Sequence, residues 1–326
     1  MSLVCRSNYS TISRSGVVLE TRNFGTYTFV PHAVFPSVQE ASRPGSVPQR
    51  GWDYVVLTTK ALPDIVDDSA TIAPLVRDDK TCIVLIQNGF GVEAPHRSRF
   101  PCNPIISGVT VISAELVNPG IVRQHRWTRV SFGPYSDGGR GTSTPHMENL
   151  QRRGAFLAKE LMRILTEHGK LRDAEVYDEI GLQAVRWHKL CINSAMNPSS
   201  ILSGEIGNAN MVIDSELRHH LKACMEEVFA AAPAVLGRSL PVSLATPEEI
   251  LLSTERNKGS KPSMLLDWEA GRPLELEVIL GNPVRIAREM GHEMSRLQSV
   301  YALLRSAQER KNLLKAKNRT SNKSNL

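Results

Sequence analysis

DYVVLTTKALPDIVDDSATIAPLVRDDKTCIVLIQNGFG, residues 53–91, holds two short apolar runs, Tyr54–Thr59 and Cys82–Gln87, with Leu62–Leu75 between them. Several successive positions in each run are apolar, which suits strands covered on both faces. The stretch between them fits a crossover helix. Strand, helix and strand at this spacing predict a parallel α/β sheet. Leu3–Cys5, Ile105–Val111 and Val130–Phe132 read as further strands of the same kind. Pro134–Glu148 (PYSDGGRGTSTPHME) is dense in Gly, Ser, Thr and Pro and is expected to be an exposed loop.

Beyond that loop the pattern turns helical. Leu150–His168 is a candidate helix, and Tyr177–Asn197 a second, expected to stop at Pro198. Asp214 is placed to cap a helix over Glu216–Leu236, with Leu217, Leu221, Met225, Val228 and Phe229 on one face. Thr246-Pro247-Glu248-Glu249 has the form of a capping box with proline at the first helical position. Met264–Trp268 and Leu274–Met290 continue the series. The organisation expected is an α/β domain over 1–178, an all-helical domain over 179–305, and a basic, flexible tail over 306–326.

The chain has 326 residues, 41% of them hydrophobic, enough for two domains with real cores. No apolar run reaches the ~20 residues that span a bilayer, and MSLVCRSNYS lacks the apolar core of a signal peptide. Five cysteines stand singly, without a CxxC pair, which fits reduced thiols and argues against a structural zinc site. A cytosolic location is expected, with a mitochondrial one left open. The net charge of +6 resides in the tail: residues 305–326 carry seven Lys or Arg against Glu309 alone. A neutral body with a short basic end is not the footprint of a nucleic-acid-binding domain. The oligomeric state is not set by the sequence; a homodimer is one assembly open to it.

VRWHKLCINSAMNP, residues 185–198, is the most unusual segment chemically. Lys189, Asn193 and Asn197 are four apart, so they drift only about 40° per step round a helix. Asparagine is a poor helix former, and a lysine among apolar neighbours costs desolvation. A polar stripe of this kind is either a solvated helix face or a site for a bound carbonyl or carboxylate, and the interleaved small and apolar residues favour the site. In SMLLDWEAGRPLELEVILGNP (263–283), Glu275 and Glu277 sit among Leu and Ile, and Ser263 follows Pro262 at a helical start. An N-cap serine and exposed acids are the plain reading; a hydroxyl beside helix-terminal N–H groups holding a substrate carboxylate is the functional one. Lys60 and the Asn88-Gly89 pair each follow a strand, where ligands of open α/β sheets bind.

Taken in order, CRSNY (5–9), DYVVLTTKA (53–61), IVLIQNGFG (83–91), GVTVISAELVNPGIV (108–122), WHKLCINSAMNP (187–198) and SMLLDWEAGRPLELEVILGNPVRIAREMG (263–291) resemble the ketopantoate reductases, or 2-dehydropantoate 2-reductases, the fungal-type members most closely. The likeness covers nearly all of residues 3–304. It implies a Rossmann-type NADP domain with a parallel sheet, followed by an all-helical domain, and hydride transfer from NADPH to the keto carbon of 2-dehydropantoate in pantothenate biosynthesis. It implies Lys189 as proton donor to the forming alkoxide and Glu275 as the acid that orients the substrate. By the same likeness Asn193, Asn197 and Ser263 bind the substrate, Ser263 at its carboxylate. Asn88 lies between nicotinamide and substrate, Lys60 stands at the same cleft, and Arg6 recognises the 2′-phosphate that distinguishes NADP from NAD.

One element of the family pattern is missing. No GxGxxG occurs in the chain, and Gly89-Phe90-Gly91 follows a later strand. The expected first strand, glycine turn and helix, ~30 residues, are absent before Leu3–Cys5, so the Rossmann-type domain is expected to be truncated at its N-terminus. Three alternatives follow. One is a reductase of another branched 2-oxo acid. Another is a non-catalytic paralogue, or the product of a fragmentary gene model, that has lost cofactor binding. The third is a different two-domain dehydrogenase, of the hydroxyacid or 6-phosphogluconate type.

Overall fold

The computed structural model describes residues 1–138 and 144–323. The chain forms two compact units. One comprises Met1–Thr59, Asp67–Gln87 and Glu93–Leu182; the other comprises Lys60–Val66, Asn88–Val92 and Gln183–Leu326. The division falls four residues after the one expected. Two short segments that follow strands, 60–66 and 88–92, leave the α/β part to join the helical part.

The first unit is built on β1 (Ser2–Val4), β2 (Val17–Thr21), β3 (Gly25–Phe29), β4 (Ala33–Phe35), β5 (Tyr54–Leu57), β6 (Cys82–Ile86), β7 (Ile105–Asn118), β8 (Ile121–Tyr135) and β9 (Ala174–Val176). Its helices are α1 (Tyr9–Ser15), α2 (Val38–Ala41), α3 (Asp68–Ile72), α4 (Ala94–Arg99) and α5 (Pro145–Arg163). The main sheet runs β3-β2-β8-β7-β6-β5, with β9 against β8, while β1 and β4 form a separate parallel pair. Strands β5, β6 and β7 are mutually parallel, and β7 turns back antiparallel on β8. The central run reads as expected because both of its faces are covered: Cys82, Ile83, Val84 and Leu85 are fully buried.

Three expectations for this unit are corrected. The crossover helix begins at Asp68 rather than Leu62, because Asp67 caps it, Oδ1 accepting from the Ala70 N–H at 3.1 Å. After Ile72 it tightens into a 3₁₀ turn over Ala73–Leu75. The strands at 105 and 130 are longer than expected, since each pairs with the other along a hairpin that the apolar pattern does not mark. The expected loop over 134–148 keeps no such extent. Pro134 and Tyr135 belong to β8, Ser136 is buried, and α5 starts at Pro145. Ser136 is drawn in by Glu179, whose carboxylate accepts from the Ser136, Asp137 and Gly138 N–H groups, the Ser136 hydroxyl and the Gln151 amide. Residues 139–143 of that loop lie outside the described residues.

Helix α6 (Glu179–Leu202) starts in the first unit and continues into the second. The second unit holds α7 (Asn208–Ile213), α8 (Ser215–Leu236), α9 (Pro247–Glu255), α10 (Ser263–Glu269), α11 (Asn282–Glu289) and α12 (Ser295–Lys323). A single π-helical turn, Glu277–Gly281, precedes α11. Pro198 does not stop α6. Ala195, Met196, Ser200 and Ile201 are buried on either side of it, and the Ser200 hydroxyl donates to the Asn197 carbonyl at 2.7 Å, so packing outweighs the local break. Asp214 caps α8, its Oδ1 accepting from the Leu217 N–H at 2.9 Å. Replacing it with alanine is expected to lower the stability of this unit by about 1 kcal/mol, read by thermal denaturation. A loss indistinguishable from zero would show that tertiary packing alone fixes that helix start.

The tail expected to be flexible is helical through Lys323, as the end of α12. Gln308 Oε1 accepts from the Leu274 N–H at 2.9 Å. The Lys311 ammonium lies 3.6 Å from the Trp268 ring centre and donates to the Trp268 carbonyl, and Lys315 donates to the Gly271 carbonyl at 2.9 Å. Those lysines are therefore side-chain ties to the 268–274 turn rather than a free charge run. Residues 324–326 lie outside the described residues. Among the described residues no helix is long and apolar enough to cross a membrane.

Candidate functional site

Helix α6 is held by its apolar side. Trp187, Leu190 and Cys191 are buried, and the Trp187 indole donates to the Val228 carbonyl of α8 at 2.7 Å. That anchorage fixes which way the polar residues of α6 point. Lys189 is half-buried, and its Nζ donates to Asn88 Oδ1 at 2.8 Å. Asn88 Nδ2 in turn donates to Glu275 Oε2 at 3.4 Å, and Glu275 Oε1 accepts from the Ala61 N–H at 3.0 Å. Lys189, Asn88, Glu275 and the Ala61 backbone thus form one hydrogen-bonded line inside the second unit.

The 88–92 segment is clamped on several sides. Gly89 has φ +85°, and a β-carbon there would lie 2.5 Å from both Val278 Cβ and the Val278 carbonyl oxygen. The Phe90 N–H donates to that same oxygen at 2.7 Å, and Asn282 donates to the Phe90 carbonyl at 3.0 Å. The Phe90 ring meets Trp187 edge-to-face at 5.0 Å between centres. Arg186 donates from Nη1 to the Gly89 carbonyl at 3.0 Å.

Charges along the line are shifted in opposite senses. Burial, then the Arg186 cation, pulls the Lys189 ammonium down to about 8, against the opposing pull of Glu275. Burial raises Glu275, while its bonds from Ala61 and Asn88 and the nearby Lys60 charge act the other way. Beside the line, Lys60 forms an ion pair with Asp267, and Arg272 donates to the same carboxylate at 2.9 Å.

The remaining candidates are less tied. Asn197 is 4% exposed, and its Nδ2 is buried with no partner among the described residues; Asn193 is half-buried with no side-chain hydrogen bond there. Ser263 is exposed at the start of α10, one turn before Asp267 on the same face. Glu277, noticed beside Glu275, turns elsewhere: it pairs with Arg285 and accepts from the Tyr301 hydroxyl. Arg6 belongs to the first unit, exposed just past the end of β1, with no hydrogen bond or ion pair among the described residues. Asp267 and Arg186 are the residues that sequence reasoning missed. Their only advance signals were an acid four residues after Ser263 and a cation three residues before Lys189.

The chain thus combines a mostly parallel sheet unit with a helical unit that carries a lysine, an asparagine and a glutamate in one hydrogen-bonded line. Residues 1–137 match the family model described as ketopantoate reductase PanE/ApbA, and residues 181–308 match its C-terminal counterpart. The chain belongs to the ketopantoate reductase family and is an oxidoreductase of the 2-dehydropantoate 2-reductase-like type. A crystal structure of the 2-dehydropantoate 2-reductase from Methylococcus capsulatus superposes with a TM-score of 0.76 at 31% identity, covering 95% of this chain and 89% of that one. The 2-dehydropantoate 2-reductase of Nostoc sp. is 26% identical over 92% of this chain and 85% of its own length. An uncharacterized protein of Saccharomyces cerevisiae is 29% identical, over 98% of this chain and 91% of its own.

Proposed function

We propose that the protein reduces 2-dehydropantoate to pantoate with NADPH. The observation that carries this reading is the line Lys189–Asn88–Glu275, a poised ammonium at one end and a buried carboxylate at the other. Bound NADPH supplies the hydride. Lys189, held partly dry and below its ordinary range, gives its proton to the oxygen that gains negative charge as the carbonyl is reduced. Asn88 spends its Oδ1 on Lys189 and its Nδ2 on Glu275, so the lysine is aimed rather than left to swing. Glu275 accepts a substrate hydroxyl on the side away from Ala61. The unpaired Nδ2 of Asn197, with Asn193 and the Ser263 hydroxyl, supplies donors for a carbonyl and a carboxylate. Lys60 acts beside them, its charge balanced by Asp267.

The residues at hand fit one end of the cofactor. Arg6 is an exposed guanidinium beyond a strand end, suited to a 2′-phosphate. No GxGxxG turn of the kind that cradles a pyrophosphate occurs in residues 1–326.

NADPH oxidation followed at 340 nm with 2-dehydropantoate tests the reading. The expected result is a kcat/KM at least tenfold above that for other branched 2-oxo acids; a better substrate in that panel would replace the one named here. Arg6→Ala is expected to weaken NADPH binding by about tenfold in a fluorescence titration and to leave NADH binding unchanged. Equal losses for the two cofactors would remove Arg6 from phosphate recognition.

A further inference from the structure

We propose that Gln308, Lys311 and Lys315 are positioning residues for Glu275: one face of α12 grips the turn that carries this acid and fixes where its carboxylate stands. For its catalytic consequence this rests on Glu275 being a substrate ligand; the grip itself does not. Residues 308, 311 and 315 are spaced i, i+3 and i+7, so their side chains leave α12 on one side. The helix is anchored just before them, where Val300, Tyr301 and Leu304 are buried. All three side chains then meet the stretch that joins α10 to the π-helical turn at Glu277–Gly281. Gln308 Oε1 accepts from the Leu274 N–H at 2.9 Å. The Lys311 ammonium donates to the Trp268 carbonyl at 2.7 Å while lying over the Trp268 ring, and Lys315 donates to the Gly271 carbonyl at 2.9 Å.

The stretch has little of its own to hold it. Residues 271–275 belong to no helix or strand, and Pro273 has no N–H to give. The N–H of Leu274, the residue before Glu275, meets a side chain of α12 instead of a carbonyl in a backbone ladder. Glu275, for its part, tolerates little movement. Its Oε1 accepts from the Ala61 N–H at 3.0 Å, and its Oε2 from Asn88 Nδ2 at 3.4 Å, already the long limit of a hydrogen bond. A shift of about 0.5 Å away from Asn88 breaks that second bond and, with it, the line to Lys189. The carboxylate therefore stands in line only while the turn is held from the α12 side.

The test is hydrogen exchange of the intact chain, read by peptide mass spectrometry, which needs no turnover. In Gln308→Ala and in Lys311→Met, exchange across 268–276 is expected to quicken about tenfold, with α9 unchanged. Lys311→Arg, which keeps a cation over Trp268, is expected to exchange like the unaltered protein. Unchanged exchange at 268–276 in the folded variants overturns the proposal, and Lys311→Met decides the matter if Gln308→Ala does not fold. Kinetics give the readout that a merely structural role would not move. Gln308→Ala is expected to lower kcat/KM for 2-dehydropantoate about tenfold with the NADPH KM unmoved, and to add no loss in a Glu275→Gln background. Losses that multiply in the double variant overturn the proposal. If exchange quickens as expected while Glu275→Gln alone leaves kcat/KM unchanged, the grip stands and Glu275 is not a substrate ligand.

Discussion

Lys189→Ala is expected to lower kcat by about a thousandfold and to change KM for the oxo acid far less. A positioned general acid contributes about 10²–10⁴ in rate, and Lys189 is the cation of the Lys189–Asn88–Glu275 line. The assignment predicts a pH dependence of definite sign. In the proposed mechanism the acting form is the ammonium, and burial with Arg186 brings it down to about 8. Below that value the lysine is protonated and kcat is level; above it kcat falls about tenfold per pH unit as the acid is lost. A lysine at its ordinary value would hold the rate level past pH 10. Steady-state kinetics between pH 6 and pH 10 on both proteins, with circular dichroism to confirm folding, decides this. A variant retaining a tenth of kcat, or a profile flat through pH 9, would sink the mechanism.

Gly89→Ala is expected to destabilise the second unit by about 3 kcal/mol or more and to disable the site with it. Two costs add. The backbone sits at φ +85°, where a side chain is strained by roughly 1–2 kcal/mol. The new β-carbon would also overlap Val278 at 2.5 Å, and one of the atoms it meets is the carbonyl that receives the Phe90 N–H. Backbone cannot swing aside as a lysine tip can, so the 88–92 segment must lift, carrying Asn88 away from Lys189 and Glu275. Gly25 separates the two terms, having φ +75° with nothing within 4 Å of its would-be β-carbon. Gly25→Ala should therefore cost only the backbone share, about 1–2 kcal/mol. Urea denaturation of the two variants makes the comparison, and equal losses would show that the Val278 contact is not a constraint.

Both predictions depend on residues far apart in the chain, and that is where sequence and structure part. Signals that act within a few residues were readable in advance. The continuous apolar runs at 54–57 and 82–86 announced strands covered on both faces, because burial on two sides leaves no polar position in the pattern. Asp214 and the Thr246–Glu249 box announced helix starts, because a cap bonds N–H groups only two or three residues on. The spacing of Lys189, Asn193 and Asn197 marked one helix face, and the ordered set of motifs marked the family.

Tertiary packing decided the rest. Pro198 lies inside α6 because Ala195, Met196 and Ile201 are buried around it, a gain that no local rule weighs. Lysines 311 and 315 belong to an ordered helix because Trp268 and Gly271 meet them. The 60–66 and 88–92 segments pack with the helical unit although each follows a strand of the sheet. Asn88 and Glu275 are 187 positions apart, so their hydrogen bond exists only once the chain has brought Gly89 onto Val278. Arg186 carried no signal beyond being a cation in a helix; its bond to the Gly89 carbonyl exists only in the folded chain. Chemical type and periodicity are local properties, legible in residue order, whereas the acidity of Lys189 comes from burial and from charges assembled around it, and only the folded chain supplies those.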